Sequence, residues 1–330
     1  MRIHNCVPVA FFALAMMAQP AITQDNVKVR ELSDPIRKLM HLDSHPKAVK
    51  SQRPAFDAVA LGLAKVKVYK ISSADYPGAG LSIVFDENDT TIIGNAEFGN
   101  TPPFGFTLTG TTYQQLNLPG VSVNEITGIN TAGRIVGIYL DSSNLEHGFV
   151  ETSGIVTNID NPVGAPNTTV LFDINDHGEM VGAYSDASNN SHAFSTTDGV
   201  SFHNFDYPGA TATIAAGVNL AGAIVGQWTD ASSVDHGFLL KGSTFKSFDF
   251  PGAVSTTAIC INDSGAIAGY FTDASSLSHG FIYSGNTFTQ VDVSGAAQTE
   301  LTRVKNNGRI TGVYIDSNTP NPESHGFTGK

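Results

Sequence analysis

This sequence predicts an all-β chain folded as a six-bladed β-propeller of four-stranded blades. Three observations predict it: one phrase recurs at a nearly constant interval, four short strand-like runs fill each interval, and the two ends of the array complement each other. Composition allows the fold. Of 330 residues 41% are hydrophobic and 15% charged, which is enough apolar material for a core and too little charge for a disordered chain. The 33 Gly and 15 Pro fit many short strands joined by tight turns.

The phrase is Asp206-Tyr-Pro-Gly-Ala210, with near-identical copies at Asp249–Ala253 and Asp75–Ala79 and looser ones at Asn117–Gly120, Asp160–Ala165 and Asp292–Ala296. Its glycines fall at 78, 120, 164, 209, 252 and 295, spaced 42, 44, 45, 43 and 43 residues apart. A second phrase follows, Gly128-Ile-Asn130 with Gly133 and then Ile135–Asp141, whose later copies centre on Asn175, Asn219, Asn262 and Asn306. The third is His147-Gly-Phe149, repeated at His192, His236, His279 and His325; the first unit has Phe104-Gly-Phe106 instead, and lacks the turn glycine after Asn88.

Within a unit the four runs are, for example, Thr244–Phe248, Thr256–Ile261, Ala266–Thr272 and His279–Tyr283. Four strands in about 43 residues is the signature of a propeller blade. The array opens at Lys65–Ile71, which has the character of an outermost strand, and stops at Lys330 before the last unit has one. Pairing of Lys65–Ile71 beside Ser324–Thr328 would close a ring and leave no blade with an open edge. An open β-solenoid, the alternative, needs no matched ends.

Recurrence marks what each unit requires. The phenylalanines at 106, 149, 194, 238, 281 and 327, and the aromatics Tyr139, Tyr184, Trp228, Phe271 and Tyr314, read as core. The Asn-x-x-Gly turns suit an Asx-turn followed by a glycine tolerant of positive φ. Cys260, between two isoleucines, reads as a small buried apolar residue. With Cys6 as its sole companion, no disulfide framework is expected.

The candidate site residues share two repeat positions. His147, His192, His236 and His279 each follow an aspartate by six residues (Asp141, Asp186, Asp230, Asp273), and Asp316 precedes His325 by nine. A His–Asp hydrogen bond fastening the hairpin is one reading. The other is a ring of shallow sites on one face, where multivalent binding of a glycan or cell-surface partner would gain by avidity. Histidines in separate blades lie too far apart to share a metal ion. At the expected mouth of the central channel the inner strands begin with Ser82, Asn124, Thr169, Thr213, Thr256 and Glu300, all polar, which suits a solvated funnel. Asp86–Thr90 has the form of the start of a calcium loop, although Thr91 stands where an EF-hand needs glycine.

Residues 1–70 carry 11 Lys and Arg against 5 Asp and Glu, while residues 71–330 carry 7 against 25. A body with net charge −18 repels phosphate backbones, which argues against nucleic acid as a partner. Residues 1–23 have the form of an export signal: Arg2, an apolar run from Val7 to Ala18, then small residues. That run is too short to span a membrane, so a secreted or periplasmic location is expected. Residues 24–64 form a basic leader, with a short helix possible over Asp57–Lys65, and 65–330 the propeller.

Together the three phrases resemble the repeats of the bacterial HAF-type extracellular repeat proteins, over residues 65–330. The resemblance implies export and a propeller-like fold, and it implies no defined activity and no catalytic residues. The residues carry no His-Glu-x-x-His, Gly-x-Ser-x-Gly or Walker motif. A non-enzymatic binding propeller is therefore the expected function. The alternatives are a six-bladed hydrolase or lactonase with a channel metal, a multivalent glycan-binding protein, and a purely structural surface repeat.

Overall fold

A computed structural model describes residues 64–67, 69–99, 101–118, 121, 123–143, 145–316 and 323–330. The export signal, most of the basic leader and the proposed helix up to residue 63 lie outside the described residues. The described residues contain 25 strands and no helix. Ala64–Val66 (β1) is one of those strands, so the last two residues of the expected helix, Ala64 and Lys65, are extended.

Units one to five are antiparallel four-stranded meanders. After β1 and β2 (Ile71–Ser73), unit one comprises β3 (Leu81–Glu87), β4 (Thr91–Glu97), β5 (Phe104–Thr109) and β6 (Thr112–Gln115). Unit two has β7 (Val123–Ile129), β8 (Ile135–Leu140), β9 (Glu146–Thr152) and β10 (Ile155–Ile159). Unit three has β11 (Val170–Ile174), β12 (Met180–Ser185), β13 (Ser191–Thr196) and β14 (His203–Phe205). Unit four runs through β15 (Ala212–Val218), β16 (Ile224–Thr229), β17 (Asp235–Lys241) and β18 (Thr244–Phe248). Unit five follows with β19 (Ser255–Ile261), β20 (Ile267–Thr272), β21 (Ser278–Ser284) and β22 (Thr287–Val291). The sixth unit has three strands of its own, β23 (Ala296–Val304), β24 (Ile310–Asp316) and β25 (Ser324–Gly329).

Its fourth strand is β2, antiparallel to β25 with Ile71 opposite Gly329 and Ser73 opposite Phe327. The pairing segment therefore starts where the sequence reading had it end. Lys65 lies instead on the neighbouring unit, where β1 runs parallel to β22. Side-chain chemistry accounts for where the pairing begins: Tyr69 and Ile71 pack on the cluster around Phe327.

Every inner strand carries a bulge at the same position, between Val84 and Asp86 in unit one and between Leu301 and Arg303 in unit six. The bulge presses its strand against the second one. A Cβ on the glycine opposite would lie 1.9–2.3 Å from an inner-strand carbonyl oxygen at Gly94, Gly137, Gly182, Gly226, Gly269 and Gly312. Only glycine fits there. The six recurrent phenylalanines are fully buried at 0% exposure, each contributing about 1.5–3 kcal/mol by burial.

Neighbouring units are joined by polar bonds as well as by packing. The turn side chains form a ladder: Nδ2 of Asn88, Asn130, Asn175, Asn219 and Asn262 each donates to the turn carbonyl of the next unit at 2.9–3.3 Å. In unit six the position belongs to Lys305, not Asn306, and its Nζ donates to the Glu87 carbonyl at 2.6 Å. Thr302 also donates to the Val84 carbonyl at 2.7 Å, as Thr127 does to Leu171 at 2.9 Å, so units six and one meet like units two and three.

Replacing Gly226 with alanine should lower stability by roughly 1–3 kcal/mol through overpacking. Gly80→Ala, where an added Cβ meets nothing within 4 Å, should stay within about 0.5 kcal/mol. Chemical denaturation of both variants checks this; equal effects would show that close approach is not what demands glycine in the second strand.

Candidate functional site

The five histidines sit in one arrangement. Each Nδ1 lies 2.9–3.1 Å from the aspartate that opens the following Pro-Gly phrase: His147 to Asp160, His192 to Asp206, His236 to Asp249, His279 to Asp292. His325 reaches Asp75 at 3.0 Å, and Asp75 also accepts the Gly326 N–H, which ties the start of the array to its end. A carboxylate can only accept, so Nδ1 carries the proton. The ring stacks on the second-strand aromatic at 4.6–5.3 Å in all five units.

The aspartates named from the sequence are the looser partners, with Nε2 3.5–3.7 Å from Asp141, Asp186, Asp230 and Asp273. Their main task is local. Oδ1 of each accepts two backbone N–H groups of its own loop, for example Ser232 at 2.7 Å and Val234 at 2.9 Å on Asp230. Asp316 occupies the same loop position, and residues 317–322 of its loop lie outside the described residues. The tighter aspartates were missed because they stand 13 or 14 positions beyond the histidine, across the outer strand.

The polar residues assigned to a channel mouth are buried pins. Ser82, Thr169, Thr213 and Thr256 are at most 2% exposed, and each hydroxyl accepts the N–H of the residue following the phrase's first position, such as Tyr207 on Thr213 at 3.0 Å. Asn124 instead accepts the Gly105 N–H and donates to the Leu116 carbonyl. The sixth pin is Thr299, which accepts the Val293 N–H at 3.0 Å; Glu300 sits one residue on and is half-buried.

The axis itself holds a group that the repeat conceals. One position past each bulge stand Asp86, Gly128, Asp173, Gly217, Cys260 and Arg303. Arg303 bridges both carboxylates: Nε lies 2.6 Å from Asp86 and Nη2 also contacts it, while Nη2 and Nη1 lie 2.7 and 3.1 Å from Asp173. Asp86 further accepts the Ile129 N–H at 3.1 Å and Asp173 the Val218 N–H at 2.9 Å. Units one, two, three, four and six are thereby joined at one hub. Burial works against the Arg303 charge, but Asp173 and Asp86 outweigh it and raise its pKa further. Cys260 beside it is buried, which pushes the thiol up to about 11 and leaves it unreactive.

Outside this hub is a depression of about 100 Å³ rimmed by the turn residues, and inside it a void of about 20 Å³ against Phe85, Phe172 and Ile259. Apolar side chains from all six units pack into one cluster beside the hub. The two axial carboxylates are engaged by Arg303, and Asn88 Oδ1 caps its own turn by accepting from Thr90 and Thr91. Among the described residues no three His, Cys, Asp or Glu side chains are placed to hold a metal ion.

A second acidic group lies at units one and two. Glu97 and Glu125 are both 2% exposed and Glu146 is 5% exposed. Burial raises Glu97 to about 7; burial, then Glu146 and Glu97, raise Glu125 to about 8. Burial also raises Glu300 to about 7, against a hydrogen bond from Ser278. In the opposite direction, hydrogen bonds from Asn190 hold Asp186 at about 2 and those from Ser201 and Val200 hold Asp198 at about 2. For His192 and His279 burial is outweighed by their aspartate partners, so both are raised.

No protein-family model matches the chain, and no curated protein matches its sequence. Some solved structures are similar to it, at TM-scores under 0.5. AofleA from Arthrobotrys oligospora is 12% identical over 66% of this chain and 75% of its own, with a TM-score of 0.46. The Aleuria aurantia lectin, described as a six-bladed β-propeller with a novel fucose recognition mode, is 11% identical over 76% and 88%, also at 0.46. The β-propeller domain of the Trilobed protease from Pyrococcus furiosus, described as having an open velcro topology, is 9% identical over 72% and 79%, again at 0.46. Likeness at this level says nothing of ligand or activity.

Two outcomes follow from the titratable groups. Arg303→Met strands two buried carboxylates and should cost about 3–5 kcal/mol in chemical denaturation; a loss under about 1 kcal/mol would show that the hub holds little together. Stability should also peak on the acid side of neutrality. The raised glutamates keep protons that the unfolded chain releases near 4.5, and the raised histidines lose their partners' support as they deprotonate, so stability falls as pH rises towards 8. The lowered aspartates remove stability as pH falls below 3.8 towards 2. Tm should therefore be higher at about pH 5 than at about pH 8, with a smaller difference in Glu125→Gln. A Tm that rises over that interval would contradict these assignments.

Proposed function

We propose that the protein is an exported, non-enzymatic binding propeller of the HAF-repeat type, its six units closed into one ring. Its ligand, a glycan or glycan-bearing cell-surface partner, is taken on the face of the Pro-Gly turns. Ring closure is supported by the pairing of Ile71–Ser73 with Phe327–Gly329 and by the Lys305 and Thr302 bonds to unit one. Export is supported by the apolar run from Val7 to Ala18 behind Arg2.

One observation carries the binding reading: a hollow of about 340 Å³ on the turn face, between the His279–Asp292 pair and Gln298. The reason for its place is local. Phe250 stacks on Phe271 at 3.7 Å and Tyr207 on Trp228 at 4.2 Å, each ring filling the space behind its turn. The sixth turn has Val293 and Ser294 where those turns have an aromatic and a proline, and Asp292, Ser294 and Gln298 line the space left. The histidine and aspartate act here as a rigid wall, because both are already committed to each other.

A glycan array probed with the full chain, followed by titration with the best saccharide, tests the reading. Ser294→Trp, which fills the hollow, and Gln298→Ala should each weaken binding by about tenfold, the scale of one lost polar contact. No saccharide on the array, or unchanged affinity in both variants, would overturn the turn-face site.

A further inference from the structure

The outer edge between units four and five carries an arrangement that the repeat does not require. Leu239 pairs with Lys246 and Lys241 with Thr244 across the β17–β18 hairpin, so alternation places both lysines on one face. That face turns to unit five, where Lys246 Nζ donates to the Tyr283 hydroxyl at 3.0 Å and to Asn286 Oδ1 at 3.1 Å. Between the hairpin and unit five runs a groove of about 470 Å³, bordered by Lys241, Thr244, Lys246, Tyr283, Ser284 and Asn286.

Its charge is out of keeping with the rest of the body. Residues 71–330 hold only seven Lys and Arg against 25 Asp and Glu. Arg303 serves the hub, Lys305 bonds the Glu87 carbonyl, and Arg309 pairs with the Glu87 carboxylate at 2.6 Å. Lys241 and Lys246 are exposed, and neither forms an ion pair within the described residues. In the other five units the position of Lys246 holds Gln114, Thr157, His203, Thr289 and Ser72. A scaffold requirement would recur, and this pair of cations does not.

We propose that this groove binds the carboxylate of an acidic saccharide. The inference rests on the reading of the protein as a glycan-binding propeller, but it uses a different surface. Two ammonium groups supply the charge for a uronate carboxylate. The hydroxyls of Thr244, Ser284 and Tyr283 and the amide of Asn286 are partners suited to ring hydroxyls, and the volume is that of a small-ligand site. The Tyr283 ring is itself stacked on Phe248 at 5.0 Å and tilted against Phe288 at 4.5 Å.

The test is calorimetric titration of the full chain with trigalacturonate, neutral galactotriose and a glutamate hexapeptide. Trigalacturonate should bind at least about tenfold more tightly than galactotriose, and the double variant Lys241→Gln, Lys246→Gln should lose at least about tenfold of that affinity while keeping its Tm. Ser294→Trp should leave trigalacturonate binding unchanged. Equal binding of the acidic and neutral sugars, no loss in the double variant, or equally tight binding of the hexapeptide would overturn the proposal. If a neutral glycan binds and only Ser294→Trp weakens it, the turn-face reading stands without this one. If trigalacturonate binds and only the lysine variant weakens it, the reverse holds.

Discussion

A primary amide can accept and donate at once, and the turns of units one to five use both halves. Asn219 Oδ1 accepts the N–H groups of Ala221 and Ala223 within its own turn, while its Nδ2 donates to the Asn262 carbonyl in the next unit. An aspartate could make the first bond and not the second. Units one to five thus each fix their own turn and their neighbour's position with one side chain, while Lys305 in unit six makes only the second link. The β-unit is too thin to bury its faces alone, so this link between units is what lets their phenylalanines pack.

Regular linkage explains why so much of the polar chemistry is structural. The histidines, the turn aspartates and the hydroxyls under the turns spend their bonding capacity on one another, and what they leave is a stiff frame. Departures from the repeat are where bonding capacity is spent differently or left over. At the axis Arg303 meets Asp86 and Asp173, and the result is a hub that spans five units. At the sixth turn Val293 and Ser294 replace larger residues, and beside them lies the hollow assigned to a ligand. At the fourth outer hairpin two lysines stand on an acidic body with no acid partner among the described residues.

Much of the site was legible in part. The recurrence of His147, His192, His236, His279 and His325 marked them as fasteners, and a His–Asp hydrogen bond was among the readings. Their tighter partners were not found, since nothing along the chain says which of two aspartates faces Nδ1 once a strand has folded back. Glu300 was taken for Thr299 because both are polar and adjacent, and only the Val293 N–H distinguishes them. Asn306 was taken for Lys305 because asparagine fills the other turns; the backbone bond from Gly308 to Lys305 settles the alignment.

What the sequence determined by itself was the unit: its length, its four strands, its buried phenylalanines and the complementary phase of its ends. Each of these depends on residue pattern and local turn chemistry, which act over a few positions. What only the tertiary structure decided was which unlike residues meet. Asp86 and Asp173 stand 217 and 130 positions before Arg303, yet lie within 3.1 Å of it, because folding brings the inner strands of units one, three and six together. The need for glycine in each second strand, set by a carbonyl about 2 Å from where a Cβ would stand, exists only once the bulged strand is folded against it.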